Sequence, residues 1–209
     1  MAPTFTVIIS LAAFAISVVT AWLTLFQLGT VKMSRPSIIF LGPDGKSFES
    51  NLPKIYLRSI LYATSKRGRI VENMFARLHR GETSQTFSVW VYGEGPLARG
   101  SGVFVGETGI ACNHHFLLQD DSAPFSFLTG EYTLEVYASL VGDTTSSKLF
   151  STRLTISQQQ ADKLREPGAG IYFDWRPESR SYFPSVRSMP QLQVSPSISD
   201  IRVSFREPS

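Results

Sequence analysis

Cysteine is nearly absent from this chain: Cys112 stands alone, so no intramolecular disulfide can brace the fold. Apolar burial and backbone hydrogen bonding must do that work instead. Charge of one sign is scarce too. A net charge of +3 over 209 residues falls short of the dense basic footprint, interleaved with aromatics, that nucleic-acid binding needs, so nucleic acid is not expected as a partner. No N-x-Ser/Thr glycan acceptor follows Asn51, Asn73 or Asn113.

Catalytic signatures are missing as well. Gly100-Ser101-Gly102 lacks the G-x-S-x-G frame of a nucleophile elbow, and its surroundings lack the Lys-Ser/Thr of a phosphate loop. Glycines there suit a bulge or a close backbone approach in a strand. Glu72 with Glu82, or Asp120 with Asp121, have acid–base chemistry, but nothing in the sequence draws either pair into a cleft. The expectation is a protein without catalytic activity and without a cofactor; an enzyme of another kind is the weaker alternative.

The most consequential absence is that no charged side chain precedes Lys32. The run Phe5 to Leu28, FTVIISLAAFAISVVTAWLTLFQL, would reach about 36 Å as a helix, enough to cross roughly 30 Å of hydrocarbon with some tilt. Its hydroxyls at Ser10, Ser17, Thr20 and Thr24 can bond back to helix carbonyls. A cleaved signal peptide is the competing reading. It wants a basic start and a small-residue cleavage site after a shorter apolar core, whereas Ala13-Phe14-Ala15 sits in mid-run. Residues 1–30 are therefore expected to form a single-pass anchor in a cell inner membrane, with the lipid bilayer as a partner.

Basic residues cluster after the run, at Lys32, Arg35, Lys46, Lys54, Arg58, Lys66, Arg67 and Arg69, opposed there only by Asp44 and Glu49. The bias places the N-terminus outside and the globular part in the cytoplasm, a periplasmic placement being the alternative. Ala13, Ser17 and Ala21 recur every four residues and form a face through which two helices could pair as a homo-oligomer.

From Ser37 the chain reads as short strands with turn punctuation and no long crossover helix, the pattern of an all-β antiparallel sandwich. Lys54 to Thr64 and Arg69 to His79 read as a hairpin across Ser65–Gly68, although Leu57, Ile60, Leu61 and Thr64 also fit a helical face. Gln85 to Tyr92 alternates as one strand, with Phe87, Val89 and Val91 on one side and Trp90 on the other. Gly100 to Val105 and Ile110 to Leu118 follow. Glu131 to Leu140 puts Tyr132, Leu134, Val136, Ala138 and Leu140 on one face, then Gly142–Ser147 turns into Lys148 to Ile156. Ser157 with Gln160 marks a capping box that starts a short helix.

At Gly130-Glu131-Tyr132-Thr133-Leu134-Glu135-Val136 the chain resembles bacterial immunoglobulin-like and fibronectin-like domains, whose penultimate strand often opens on Gly-x-Tyr. The stretch 100–116, GSGVFVGETGIACNHHF, resembles single-pass bacterial membrane proteins. The resemblance covers residues 37–156 as a pattern and implies an immunoglobulin-like β-sandwich, expected as the domain 31–165, without the disulfide of antibody domains, and implies no activity.

Cys112, Asn113, His114 and His115 form the densest group of potential metal ligands. On a strand Cys112 and His114 share one face, and a zinc site would need further ligands such as His79, Asp120 or Asp121. A buried thiol and hydrogen-bonded imidazoles are the plainer reading. Residues 166–209 read as a tail. Gly170–Trp175 is aromatic enough to dock on the sandwich and cover an edge, and Tyr182-Phe183-Pro184 is expected to do the same. Ser185 to Ser209 is Pro/Ser/Arg-rich and expected to be disordered, with Ile201, Val203 and Phe205 alternating as a strand that could add to a partner's sheet. The function expected is binding or scaffolding of a protein partner, with a metal-binding module as the alternative.

Overall fold

The structure, a computed structural model, describes residues 2–25, 29–44, 52–94, 97–99, 102–119 and 125–188. The apolar run forms α1 (Ala2–Leu25), and every side chain described on it, from Phe5 to Trp22, is exposed. By length and composition Phe5–Trp22 can cross a bilayer. A single apolar helix at this position fits a membrane anchor or a signal sequence.

The remaining elements are β1 (Val31–Met33), β2 (Ile38–Pro43), β3 (Pro53–Ala63), β4 (Arg69–Arg80), β5 (Thr83–Phe87), β6 (Val89–Gly93), β7 (Ala98–Arg99), β8 (Val103–Val105), β9 (Ile110–Leu117), β10 (Gly130–Leu140), β11 (Ser147–Ile156), α2 (Gln158–Lys163), β12 (Ala169–Arg176) and β13 (Ser181–Ser188). They build two antiparallel sheets. The larger runs β13-β12-β2-β3-β9-β6-β7, with β1 also on β3; the smaller runs β11-β10-β4-β5, with β8 also on β4. Between them lies one core, to which Ile39, Leu57 and Phe116 come from the larger sheet and Met74, Leu134 and Leu154 from the smaller.

Alternation places most of these residues. β10 buries Tyr132, Leu134, Val136, Ala138 and Leu140 along one face, as the sequence indicates, and its hairpin to β11 is present. β3 is a strand throughout, which removes the helical alternative. The capping box at Ser157 and Gln160 is formed and starts α2.

Three connections differ from the sequence reading. β3 and β4 are not a hairpin: β3 lies in the larger sheet and β4 in the smaller, so Thr64–Gly68 carries the chain over the core. Thr64 instead donates its N–H to Thr30 O at 2.9 Å. Gly68, at φ +67°, makes the turn beneath the Phe104 ring, where a Cβ would collide with it. The Gln85–Tyr92 run is likewise two strands. It breaks at Ser88 as the chain passes from β5 to β6, so both Phe87 and Trp90 are buried and the alternation inverts.

The third correction concerns the boundary at residue 165. Residues 169–188 are strands of the larger sheet, with Phe173 opposite Ile39 on β2 and opposite Pro184 on β13. Ile171 and Phe173 are fully buried in the core, so the sheet continues to Ser188. The rest of the expected tail, including Ile201, Val203 and Phe205, lies outside the described residues.

Candidate functional site

The outward face of the smaller sheet holds the most organised group of side chains. Antiparallel pairing of β4 with β10 sets Phe75 opposite Tyr137 and Arg77 opposite Glu135. The Phe75 and Tyr137 rings stack at 5.0 Å and 6°. The Arg77 guanidinium lies 5.4 Å from the Tyr137 ring centroid and 5.9 Å from that of Phe75, a cation–π arrangement.

Glu135 is the hub. Its carboxylate accepts hydrogen bonds from Tyr137 Oη at 2.7 Å and Lys148 Nζ at 2.9 Å, and His79 Nε2 lies 3.3 Å away. These donors, Tyr137 first and Lys148 second, hold its pKa down to about 2. The same bond pushes the Tyr137 phenol up. A carboxylate this committed stays ionised and is a poor proton donor near neutrality. The group is a hydrogen-bonded, partly exposed patch of aromatic rings and paired charges.

Cys112 and His114 share one face of β9, as expected, and that face points into the core. Trp90 Nε1 donates to His114 Nδ1 at 3.2 Å, which fixes the proton on Nε2. Among the described residues that atom is buried without a partner, as is Ser59 Oγ on the neighbouring β3, where Ser59 faces Cys112. Burial, with a lesser contribution from His115, lowers the His114 pKa to about 4; burial also raises that of the Cys112 thiol. A raised thiol is a poor metal ligand, and among the described residues no three His, Cys, Asp or Glu side chains converge. His79 belongs to the opposite sheet at Glu135, the His115 ring packs tilted at 4.9 Å against Tyr56 on the outward face, and Asp120 and Asp121 lie outside the described residues.

Among the described residues two clefts stand out. One of about 540 Å³ is lined by Glu72, Ser88, Trp90 and Arg99, and one of about 330 Å³ by Phe125, Phe127, Leu164 and Glu166. Each gathers a single carboxylate, so Glu72 does not meet Glu82, and Ser101 lies outside the described residues. On α1, Ala13, Ser17 and Ala21 are exposed, and the Ser17 hydroxyl donates to Ala13 O at 2.9 Å within the helix.

Sequence reasoning missed the Glu135 group. Strand alternation places Phe75, Arg77, Glu135 and Tyr137 on outward faces, but only the β4–β10 register makes them neighbours.

These features define a mostly β protein of two antiparallel sheets with one apolar N-terminal helix. No family model and no curated protein matches the chain. A solved family 123 glycoside hydrolase from Clostridium perfringens is similar at 10% identity and a TM-score of 0.30, over 61% of this chain and 27% of that one. The chain thus spans about a quarter of that enzyme, and a likeness so distant carries no argument about fold or activity.

Proposed function

We propose that this chain is a single-pass membrane protein whose immunoglobulin-like β-sandwich binds a protein partner and does no catalysis itself. The observation that carries the reading is the Phe75–Tyr137–Arg77 patch locked around Glu135. Tyr and Arg held rigid on a sheet face are the residue types that dominate binding energy at protein interfaces, because little side-chain entropy remains to be lost.

The immunoglobulin-like kinship is supported by Tyr132. At the start of β10 its hydroxyl donates to Leu128 O at 2.7 Å and accepts from Leu128 N at 2.8 Å, the hydrogen-bonded tyrosine corner of such sandwiches. The anchor reading is supported by the length and exposure of α1, and cytoplasmic placement of the domain by the basic residues that follow, beginning with Lys32 and Arg35.

The test uses a photo-crosslinking residue at Ser151, the exposed position opposite Glu135, in native membranes. The expected result is a discrete adduct with a protein, reduced about tenfold by Arg77→Ala with Tyr137→Ala, as loss of a hot spot would give. An adduct indifferent to that double substitution, with the variant's melting temperature near wild type, would refute the patch as the binding site.

A further inference from the structure

One end of the sandwich gathers exposed apolar and basic side chains around the point where the chain arrives from α1. Gly29 lies against Ser65; Thr30 donates its N–H to Thr64 Oγ1 at 2.8 Å; Arg69 Nη1 donates to Gly29 O at 3.1 Å. Val141 N–H donates to Ile70 O at 3.0 Å, and Ile70 pairs with Phe104 across β4 and β8. The Thr64–Arg69 crossover thus packs on Gly29, and Arg69 and Ile70 join it to the turn after β10 and to β8.

Eight large hydrophobic side chains outside α1 are exposed among the described residues, and five of them sit at this end: Ile60, Tyr62, Ile70, Phe104 and Val141. Phe104 is 62% exposed and Val141 53%. Lys32, Lys66 and Arg67 are exposed around them; of the acids there, Asp143 is engaged by Arg69 at 2.7 Å and Glu107 is exposed. Apolar side chains ringed by an excess of basic ones are complementary to a bilayer with anionic headgroups, where rings and aliphatic groups enter the interface and ammonium and guanidinium groups meet phosphate.

Tether length brings the two together. From Leu25 at the end of α1 to Gly29 is at most about 15 Å of extended chain. If α1 spans the membrane, no other surface of the domain is held so close to the headgroups.

We propose that this end, with Phe104, Ile70 and Val141 as the apolar wedge and Lys66 and Arg67 as headgroup contacts, docks on an anionic lipid surface. The sandwich would then stand on the membrane in one orientation and not swing on its tether. The inference rests on the anchored reading of α1, and the experiment separates the two.

Full-length protein carrying Phe104→Cys, labelled with an environment-sensitive fluorophore, is reconstituted in phosphatidylcholine vesicles with or without phosphatidylglycerol, both containing doxyl-labelled lipid. A label on Ser84→Cys, exposed on β5, serves as the remote control. The expected result is quenching at position 104 at least about twofold above that at position 84, stronger with phosphatidylglycerol and weakened in ~0.5 M salt or by Lys66→Glu with Arg67→Glu. Equal quenching at both positions, in protein that still resists alkaline carbonate extraction, overturns the docking and leaves the anchor standing. Release by carbonate overturns both. Shielding of position 104 in native membranes but not in pure lipid overturns it in favour of a protein occupant.

Discussion

His114 and Glu135 make the domain's stability fall with acid in two successive windows. His114 is held neutral in the core, so between 6.5 and about 4 the unfolded chain takes up a proton that the folded one refuses. Stability is therefore lost as pH drops through that interval, by up to roughly 3 kcal/mol, and no further on this account below it. Glu135 acts in the same direction, lower down. Its carboxylate is stabilised in the fold, so its contribution is complete above about 4.5 and disappears as pH falls toward 2. Thermal melts of the detergent-solubilised chain should show both slopes. His114→Gln should flatten the upper one and Glu135→Gln the lower, each variant melting lower than wild type at neutral pH. An unchanged slope between pH 6.5 and 4 in His114→Gln would show that another group titrates there. Neither role can be read from CNHH or LEV in the sequence. The first depends on the packing that buries His114, the second on Tyr137 turning onto Glu135, joined by Lys148 from β11 and His79 from β4.

Among the elements, β12 and β13 decide where the domain ends. The aromatic stretch Gly170–Trp175 signals docking, and the structure makes it stronger than docking: β12 hydrogen-bonds to β2 and sends Ile171 and Phe173 into the core. Gly42 and Gly170 leave room for the Phe40 ring on the outward face, where a Cβ at Gly170 would fall inside it. Burying Ile171 and Phe173 is worth about 3–6 kcal/mol together, comparable with the whole stability of a small domain. A chain terminated after Arg165 should accordingly be insoluble or molten, with β2 left as an unpaired edge, whereas one terminated after Ser188 should melt within a few degrees of the full chain. Comparable melts for the two truncations would mean that β12 is dispensable. The breaks at Ser88 and Thr64–Gly68 have the same cause as the misplaced boundary. Period-two alternation says that a residue faces a core, but it is identical for two strands in one sheet and two strands in opposite sheets.

For the molecule as a whole, the anchor and the domain make separable predictions. If α1 spans the membrane, the chain should stay in the pellet after alkaline carbonate extraction, and a cytoplasm-active reporter fused after Ser209 should be functional. A reporter active only outside the cytoplasm would reverse the topology without touching the fold. The sequence by itself determined the apolar helix, because about twenty uncharged residues admit few other placements, and it determined the strands, because burial of one face leaves a period of two. It also determined that β10 would carry the core through Tyr132 to Leu140. Only the tertiary structure decided which strands share a sheet, that Cys112 and His114 face a packed interior, and that Glu135, Tyr137 and Arg77 meet. Those outcomes depend on contacts between residues far apart in the chain, which local alternation does not encode. The same holds for the end around Gly29: the charge-free opening points to a membrane, but it took the fold to bring Ile70, Phe104 and Val141 to one end of the sandwich.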